Sequence, residues 1–240
     1  MFARCIALFF LFLAACGSDS SSHSLLKIGV DPTWFPLQLG ELQPFVNGYT
    51  EDFLVEMASE QRMEFIKAPA SWDNLISSLR EKKYDAIISS LPPYSFNQAE
   101  FEFSNSFLDL GPVLVSRVDS NFQRLEQLQE KLLGVLVGGG SSILVAEHPT
   151  VVLRTYPTIP DLLEDLQRGE IDAVLLENLF AWSYVRHLFQ GTLHITSKPL
   201  TNTGLRLITR KGELLEIIDR FNKQVSKKNT SALQQKWNLA

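Results

Sequence analysis

Apolar positions along this chain change their spacing at regular intervals. Residues 25–31 (LLKIGVD) read as a strand that runs into a Pro/Trp loop, and in residues 49–62 (YTEDFLVEMASEQR) Phe53, Leu54 and Met57 recur at helical spacing. Residues 63–69 (MEFIKAP) predict a second strand, 71–83 (SWDNLISSLREKK) a helix and 84–90 (YDAIISS) a third strand. Strand, helix and strand in this rhythm need crossover connections, so an α/β fold with a mainly parallel sheet flanked by helices is predicted.

The plan then repeats. Residues 79–90 (LREKKYDAIISS) and 166–177 (LQRGEIDAVLLE) align without a gap, sharing Leu, a polar bridge, an apolar or aromatic residue, Asp-Ala and a β-rich run. Each unit also opens with a strand entering a special loop, at 27–31 (KIGVD) and at 132–140 (LLGVLVGGG). The helix before the second copy carries Leu162, Leu163 and Leu166 and stops at Gly169, a residue suited to the left-handed turn after a helix. Two similar α/β lobes are the economical reading. Lobe one is predicted at 25–113 plus 202–240 and lobe two at 114–201, joined by a two-segment hinge near 110–115 (LGPVLV) and 197–204 (SKPLTNTG).

The first 24 residues break the pattern. Arg4 is followed by an apolar run from Cys5 to Cys16, too short to span a membrane but suited to the apolar region of a secretory signal. Residues 13–16 (LAAC) look like a lipobox, with Cys16 as the lipidated first residue of the mature chain; a plain signal peptide with a chance cysteine is the alternative. Residues 17–24 are small and polar, as a tether should be. With Cys5 removed and Cys16 lipidated, the mature domain has no disulfide, so an ordinary core must hold it.

Charge and composition narrow the function. With 45% hydrophobic and 20% charged residues the chain is an ordinary globular one, and a net charge of −5 without a basic cluster argues against binding nucleic acid. His23, His148, His187 and His194 show no metal-ligand spacing, so neither metal nor cofactor is expected.

In an open α/β sheet, ligands sit beyond the carboxyl ends of the strands. Ser89 and Ser90 end the strand in lobe one, and Glu177 ends its counterpart in lobe two. If the lobes face each other, these ends share a cleft. Residues 31–36 (DPTWFP) hold two aromatics in a proline-stiffened loop; Trp34 is expected to form a cleft wall and Phe35 to fill core. Asp31 either meets a ligand cation or satisfies loop amides. Residues 137–142 (VGGGSS) let backbone approach a ligand, and a Ser141 or Ser142 cap leaves amides that suit a carboxylate. The stretch is not a nucleotide loop: Ile143 stands where a dinucleotide fingerprint needs its third glycine. Glu177 is a carboxylate closing an apolar strand, placed to meet a ligand ammonium or simply to face solvent.

At these residues the sequence resembles the extracellular solute-binding proteins of family 3, the polar amino-acid receptors of ABC importers. The likeness runs through 26–36, 48–58, 75–91, 134–142, 166–178 and 203–225. It implies a two-lobed, type II periplasmic-binding-protein-like fold and no catalysis. It also implies an aromatic wall at Trp34, strand-end contacts at Ser89, Ser90, Leu91 and Pro92, second-lobe contacts at Gly139, Gly140 and Ser141, and an acidic partner for an α-ammonium at Glu177. The family's carboxylate-clamping arginine falls on Asn97, which cannot give a bidentate charged grip. Three explanations stand open: the glycine-loop amides act alone, another cation such as Arg117 near the hinge substitutes, or the solute is not a free α-amino acid. Taken with the lipobox at 13–16, the reading is a monomer that is exported, lipid-anchored and periplasm-facing. It would close on a small polar solute and deliver it to a membrane permease. A cyclohexadienyl dehydratase-like lyase and a sensing module without transport are the alternatives on the same fold.

Overall fold

The computed structural model describes residues 25–138, 144–227 and 229–239. The first part of the chain forms β1 (Leu26–Val30), α1 (Gln43–Gln61), β2 (Phe65–Pro69), α2 (Trp72–Arg80), β3 (Ala86–Ser89), a single turn α3 (Ser95–Gln98), β4 (Phe101–Phe103) and β5 (Leu108–Asp109). The middle forms β6 (Pro112–Arg117), β7 (Leu132–Leu136), β8 (Val152–Tyr156), α4 (Ile159–Arg168), β9 (Ala173–Glu177), α5 (Asn178–His187) and β10 (Leu193–Ile195). β11 (Gly204–Arg210), α6 (Leu215–Val225) and α7 (Asn229–Lys236) close the described chain. Among the described residues no helix is long and apolar enough to cross a membrane.

Two sheets result. The first runs β2-β1-β3-β11-β4, with β5 paired to β11 at its side, and the second runs β10-β6-β9-β7-β8. Read from its other end, the second repeats the first strand for strand: β8, β7, β9, β6 and β10 stand where β2, β1, β3, β11 and β4 stand. The helix-crossed strands are parallel, β1 with β2 and β3, and β7 with β8 and β9. The expectation of a mainly parallel sheet is corrected, because β11 lies antiparallel to β3 and β4, and β6 antiparallel to β9 and β10. A helical crossover returns the chain to the same end of a sheet and imposes parallel pairing. β6 and β11 instead arrive from the other sheet, so nothing imposes it on them.

The repeated Asp-Ala pair has one physical job in both sheets. The Asp85 carboxylate accepts from the N–H of Lys27 at 2.8 Å, while the Asp85 N–H donates to the Lys27 carbonyl. Asp172 does the same with Leu132, accepting its N–H at 2.9 Å and donating to its carbonyl. Each aspartate thereby clips the start of its strand to the start of the parallel neighbour. Ala86 and Ala173 follow directly in register with Ile28 and Leu133.

Each sheet is cored on both faces. β1, β3 and β11 present Ile28, Ile88 and Leu207 to α1 and α6, where Tyr49, Phe53, Phe107 and Phe221 stack at centroid separations of 4.7–6.3 Å. The opposite face buries Ile87, Ile208 and Phe101 under Leu75 and Leu79 of α2. In the second sheet, Leu162, Leu163 and Leu166 of α4 are fully buried at helical spacing, and Gly169 ends the helix at φ 79°. α1 starts at Gln43, earlier than the periodicity indicates, because Pro44 sits in the first turn, where its missing N–H has no helical partner to lose.

The chain changes sheets twice, and the two passages are bonded together. The N–H groups of Leu110 and Gly111 both donate to the Thr203 carbonyl, at 2.9 and 3.1 Å, and Leu200 N–H donates to the Pro112 carbonyl at 2.8 Å. Pro112 and Val113, assigned to the first lobe from the sequence, pair with Glu177 and Leu176 in the second sheet.

Candidate functional site

The carboxyl ends of β1 and β3 meet in a narrow crevice lined by Asp31, Trp34, Phe35, Trp72, Ser89 and Ser90, with Leu75 and Ile88 at its floor. Four of the residues singled out from the sequence, Asp31, Trp34, Ser89 and Ser90, therefore come together there. Ser89 and Ser90 are both buried, and Ser89 Oγ accepts from Leu91 N–H at 3.2 Å, which turns the chain as it leaves the strand.

The two aromatics of the loop are the reverse of their expected roles. Trp34 is 3% exposed and belongs to the core under β1, with its Nε1–H donating to Asn47 Oδ1 at 2.6 Å. Phe35 is 55% exposed and packs edge-on against Trp72, centroids 5.4 Å apart. The cause is backbone: Trp34 sits at φ 59°, in the left-handed region, which reverses the directions of the two side chains. That conformation is costly for a bulky residue and is expected of Gly or Asn, so the residue types gave no warning of it. The exposed ring at the mouth of the crevice is Phe35, backed by half-buried Trp72.

Asp31 follows the second of its two sequence readings. It is buried, and Oδ1 accepts from the N–H and the hydroxyl of Thr33 at 2.9 and 2.7 Å, tying the loop to the strand end.

Asn97 and Arg117 make their hydrogen bonds within their own lobes and away from the crevice. Asn97 lies in α3, and its Nδ2 donates to the Pro92 carbonyl at 2.8 Å, closing the 92–97 loop on itself. Leu91, Pro92 and Asn97 are half-buried on that loop and do not line the crevice. Arg117 ends β6 at the far side from the hinge, five positions beyond Pro112, or about 17 Å at a strand's rise. Its Nη1 donates to the Leu166 and Ile171 carbonyls at 3.3 and 3.1 Å, holding the end of α4.

In the second sheet, Glu177 ends β9 opposite Pro112, at the first residue after the crossover, and precedes α5 directly. Its neighbour Asn178 bonds across to the first sheet's exit segment, with N–H to the Gly111 carbonyl at 3.3 Å and Nδ2 to the Asp109 carbonyl at 3.0 Å. Leu179 is buried in the core of the first sheet. The tip of β9 is thus docked onto the crossover. Gly139, Gly140 and Ser141 lie outside the described residues, as do Cys16 and the rest of residues 1–24.

Two features of this region escaped the sequence reading. Trp72 opens α2 just past the end of β2, a strand-end position like those that drew attention to Trp34. Arg206 is the third residue of β11 and 2% exposed, inside an otherwise apolar run; a lone cation in such a run was the available signal. Burial pushes its guanidinium pKa down, and the charge of Asp109 partly opposes that.

Comparison with known proteins places these observations. The model of the bacterial extracellular solute-binding proteins, family 3, matches residues 26–240. The L-cystine-binding protein TcyJ of Escherichia coli (strain K12) is 25% identical over 218 residues, 88% of this chain and 82% of that protein. The histidine-binding periplasmic protein of the same organism is 29% identical over 182 residues, 73% of this chain and 69% of that protein. In fold, the crystal structure of the L-cystine solute receptor of Neisseria gonorrhoeae, in its unliganded open conformation, gives a TM-score of 0.64 at 18% identity, covering 89% of this chain and 90% of that one.

Proposed function

The chain belongs to the bacterial extracellular solute-binding proteins, family 3, and from that premise we propose that it captures an amino acid or a related small polar solute between its two lobes for import by an ABC permease. The observation that carries this reading is the convergence of the two strand tips on one crossover. Ser89 stands opposite Arg206, two residues from Gly204 where β11 begins, and Glu177 stands opposite Pro112 where β6 begins. A solute touching both tips bridges two bodies joined by two short passages, and its contacts to both favour the closed arrangement. In this reading Glu177 faces the ammonium, Ser89 and Ser90 supply hydroxyls, and Phe35 with Trp72 forms the aromatic wall.

The names of the relatives, a cystine- and a histidine-binding protein, support an amino acid as the solute class. Cys16 anchors the exported monomer by lipid at the cell envelope, facing the periplasm, and the membrane permease is its partner. The lipobox-like run at 13–16 and the polar tether at 17–24 support that anchor. Cys16→Ala should abolish labelling by a radioactive fatty acid.

A thermal-shift screen of the purified exported chain against amino acids, short peptides and related metabolites tests the reading. A ligand at 100 times its dissociation constant adds about 2.7 kcal/mol of stability, a shift easily seen. For the ligand found, Glu177→Gln should weaken binding about tenfold or more, since a charge-assisted hydrogen bond contributes about 1.5–3 kcal/mol. An unchanged affinity in that variant puts the pocket elsewhere.

A further inference from the structure

We propose that Arg206 holds the carboxylate of the captured solute, so that the cation of the site comes from β11 in the closing segment of the chain rather than from the loop after β3. The proposal rests on the amino-acid reading above and names the group that completes it.

Position is the first argument. Arg206 is the direct partner of Ser89 in the antiparallel ladder of β11 and β3. Directly opposed residues share a sheet face, with Cβ atoms about 4.5–5.5 Å apart, and Ser89 lines the crevice. The guanidinium also turns the right way. Nη1 donates to the Gly204 carbonyl at 3.1 Å, and Nη2 donates to Asn202 Oδ1. Gly204 begins β11, which is antiparallel to β3, and Asn202 lies just before it, so the charged head lies beyond Ser89, past the carboxyl end of β3.

Charge is the second argument. Among the described residues Arg206 is the only buried cation, and no carboxylate forms an ion pair with it. A buried charge without a counter-ion is expensive, and a guanidinium does not escape by releasing its proton. Its two bonds go to neutral oxygens and leave three of five N–H donors for another acceptor. Asp109, the carboxylate whose charge acts on it, is exposed and on β5. A solute carboxylate would supply the missing counter-charge at short range.

The third argument is the relation to Glu177. Asp109 is in register with Gly204, and its carbonyl accepts from Asn178, the residue after Glu177. Arg206 and Glu177 therefore flank the same crossover, one from each sheet, with opposite signs. That arrangement matches a zwitterion.

The test uses calorimetric titration of the purified exported chain, with the amino acids and their carboxamides as probes; the amide keeps the ammonium and loses the anion. Wild type should bind its amino acid at least about tenfold more tightly than the carboxamide. Arg206→Gln should weaken the acid by about 10- to 100-fold, the range for charge-assisted hydrogen bonds, and leave the carboxamide within about threefold. Arg206→Lys keeps charge without the planar fork, so its ratio should fall partway. A wild-type acid-to-amide ratio in Arg206→Gln, or equal losses for acid and amide at an unchanged melting temperature, overturns the proposal. If Arg206→Gln does not fold, a wild-type ratio in Arg206→Lys overturns it. Carboxylates lacking an amine, such as succinate, separate the two levels. Succinate binding that disappears in Arg206→Gln supports Arg206 and overturns the amino-acid reading, whereas a panel in which no carboxylate binds wild type overturns both.

Discussion

Replacing Trp34 and Phe35 singly by alanine tests the inversion in the first loop. Trp34 is 3% exposed and donates its indole N–H to Asn47, so Trp34→Ala removes a core side chain and that hydrogen bond. Such truncations cost about 3–5 kcal/mol. At about 2–4 °C per kcal/mol for a domain of this size, the melting temperature should drop by roughly 6–20 °C. Phe35 is 55% exposed and gives up one edge contact with Trp72, worth about 0.5–1.5 kcal/mol, so Phe35→Ala should lower it by no more than about 6 °C. Solute binding should rank the variants the other way. Phe35→Ala should weaken a cationic or planar solute about 2- to 30-fold, from a ring contact of about 0.5–2 kcal/mol. Thermal denaturation and calorimetric titration of both variants suffice. If Trp34→Ala melts within about 2 °C of wild type, or Phe35→Ala falls as far as Trp34→Ala, the inward tryptophan and outward phenylalanine are wrongly placed.

Asp85→Ala and Asp172→Ala should each cost about 1–2 kcal/mol in urea denaturation, the loss of one carboxylate-to-amide clip, and the double variant should show the sum because the clips lie in different sheets. The bond from Tyr156 to Asp165, followed by Arg168, holds the Asp165 carboxyl below its ordinary range. Its stabilisation is therefore present above the usual carboxylate pKa and lost as pH falls through the lower folded value, so Asp165→Asn should flatten the acid limb of a melting-temperature profile below about pH 4. Burial, then the bond to Asp165, pushes Tyr156 up to about 12. That contribution is intact below the ordinary phenol pKa and lost as pH rises towards 12, so Tyr156→Phe should remove the alkaline fall. Gly204→Ala would place a methyl 2.1 Å from Ser106 Oγ and 2.7 Å from the Leu108 carbonyl, and should destabilise by about 1–3 kcal/mol in the same urea assay.

Much of the fold could be read from spacing alone, because a helix or strand is local. The α4 leucines, the Gly169 stop and the duplicated Asp-Ala unit all lie where periodicity and the repeat put them. What escaped was non-local. Nothing within β6 or β11 records that each arrives from the other sheet, so their antiparallel pairing could not be read. The same limit hid Arg206, whose meaning comes from standing opposite Ser89, more than 100 positions away. In the loop the failure was conformational: Asp31, Ser89 and Ser90 converge, but a left-handed Trp34 exchanges the roles of two adjacent rings.

The antiparallel strands that spacing could not foresee also explain how capture can move the molecule. In each sheet the strand delivered by a crossover lies directly beside the central strand whose tip is proposed to meet the solute: β11 beside β3, and β6 beside β9. The crossovers and the proposed site are therefore neighbours in the same ladder, with Arg206 opposite Ser89 and Pro112 opposite Glu177. A rotation about residues 110–112 and 200–203 would shift the spacing of the two tips and would have to carry with it the contact of Leu179 with the first sheet's core. Moving a population from 1:99 to 99:1 closed takes about 5.5 kcal/mol of differential binding. A carboxylate on Arg206 and an ammonium on Glu177, at about 1.5–3 kcal/mol each, reach that range only when one solute touches both. A ligand with either charge removed should bind one tip and leave the lobes apart, and small-angle scattering of the carboxamide complex would show the unliganded radius.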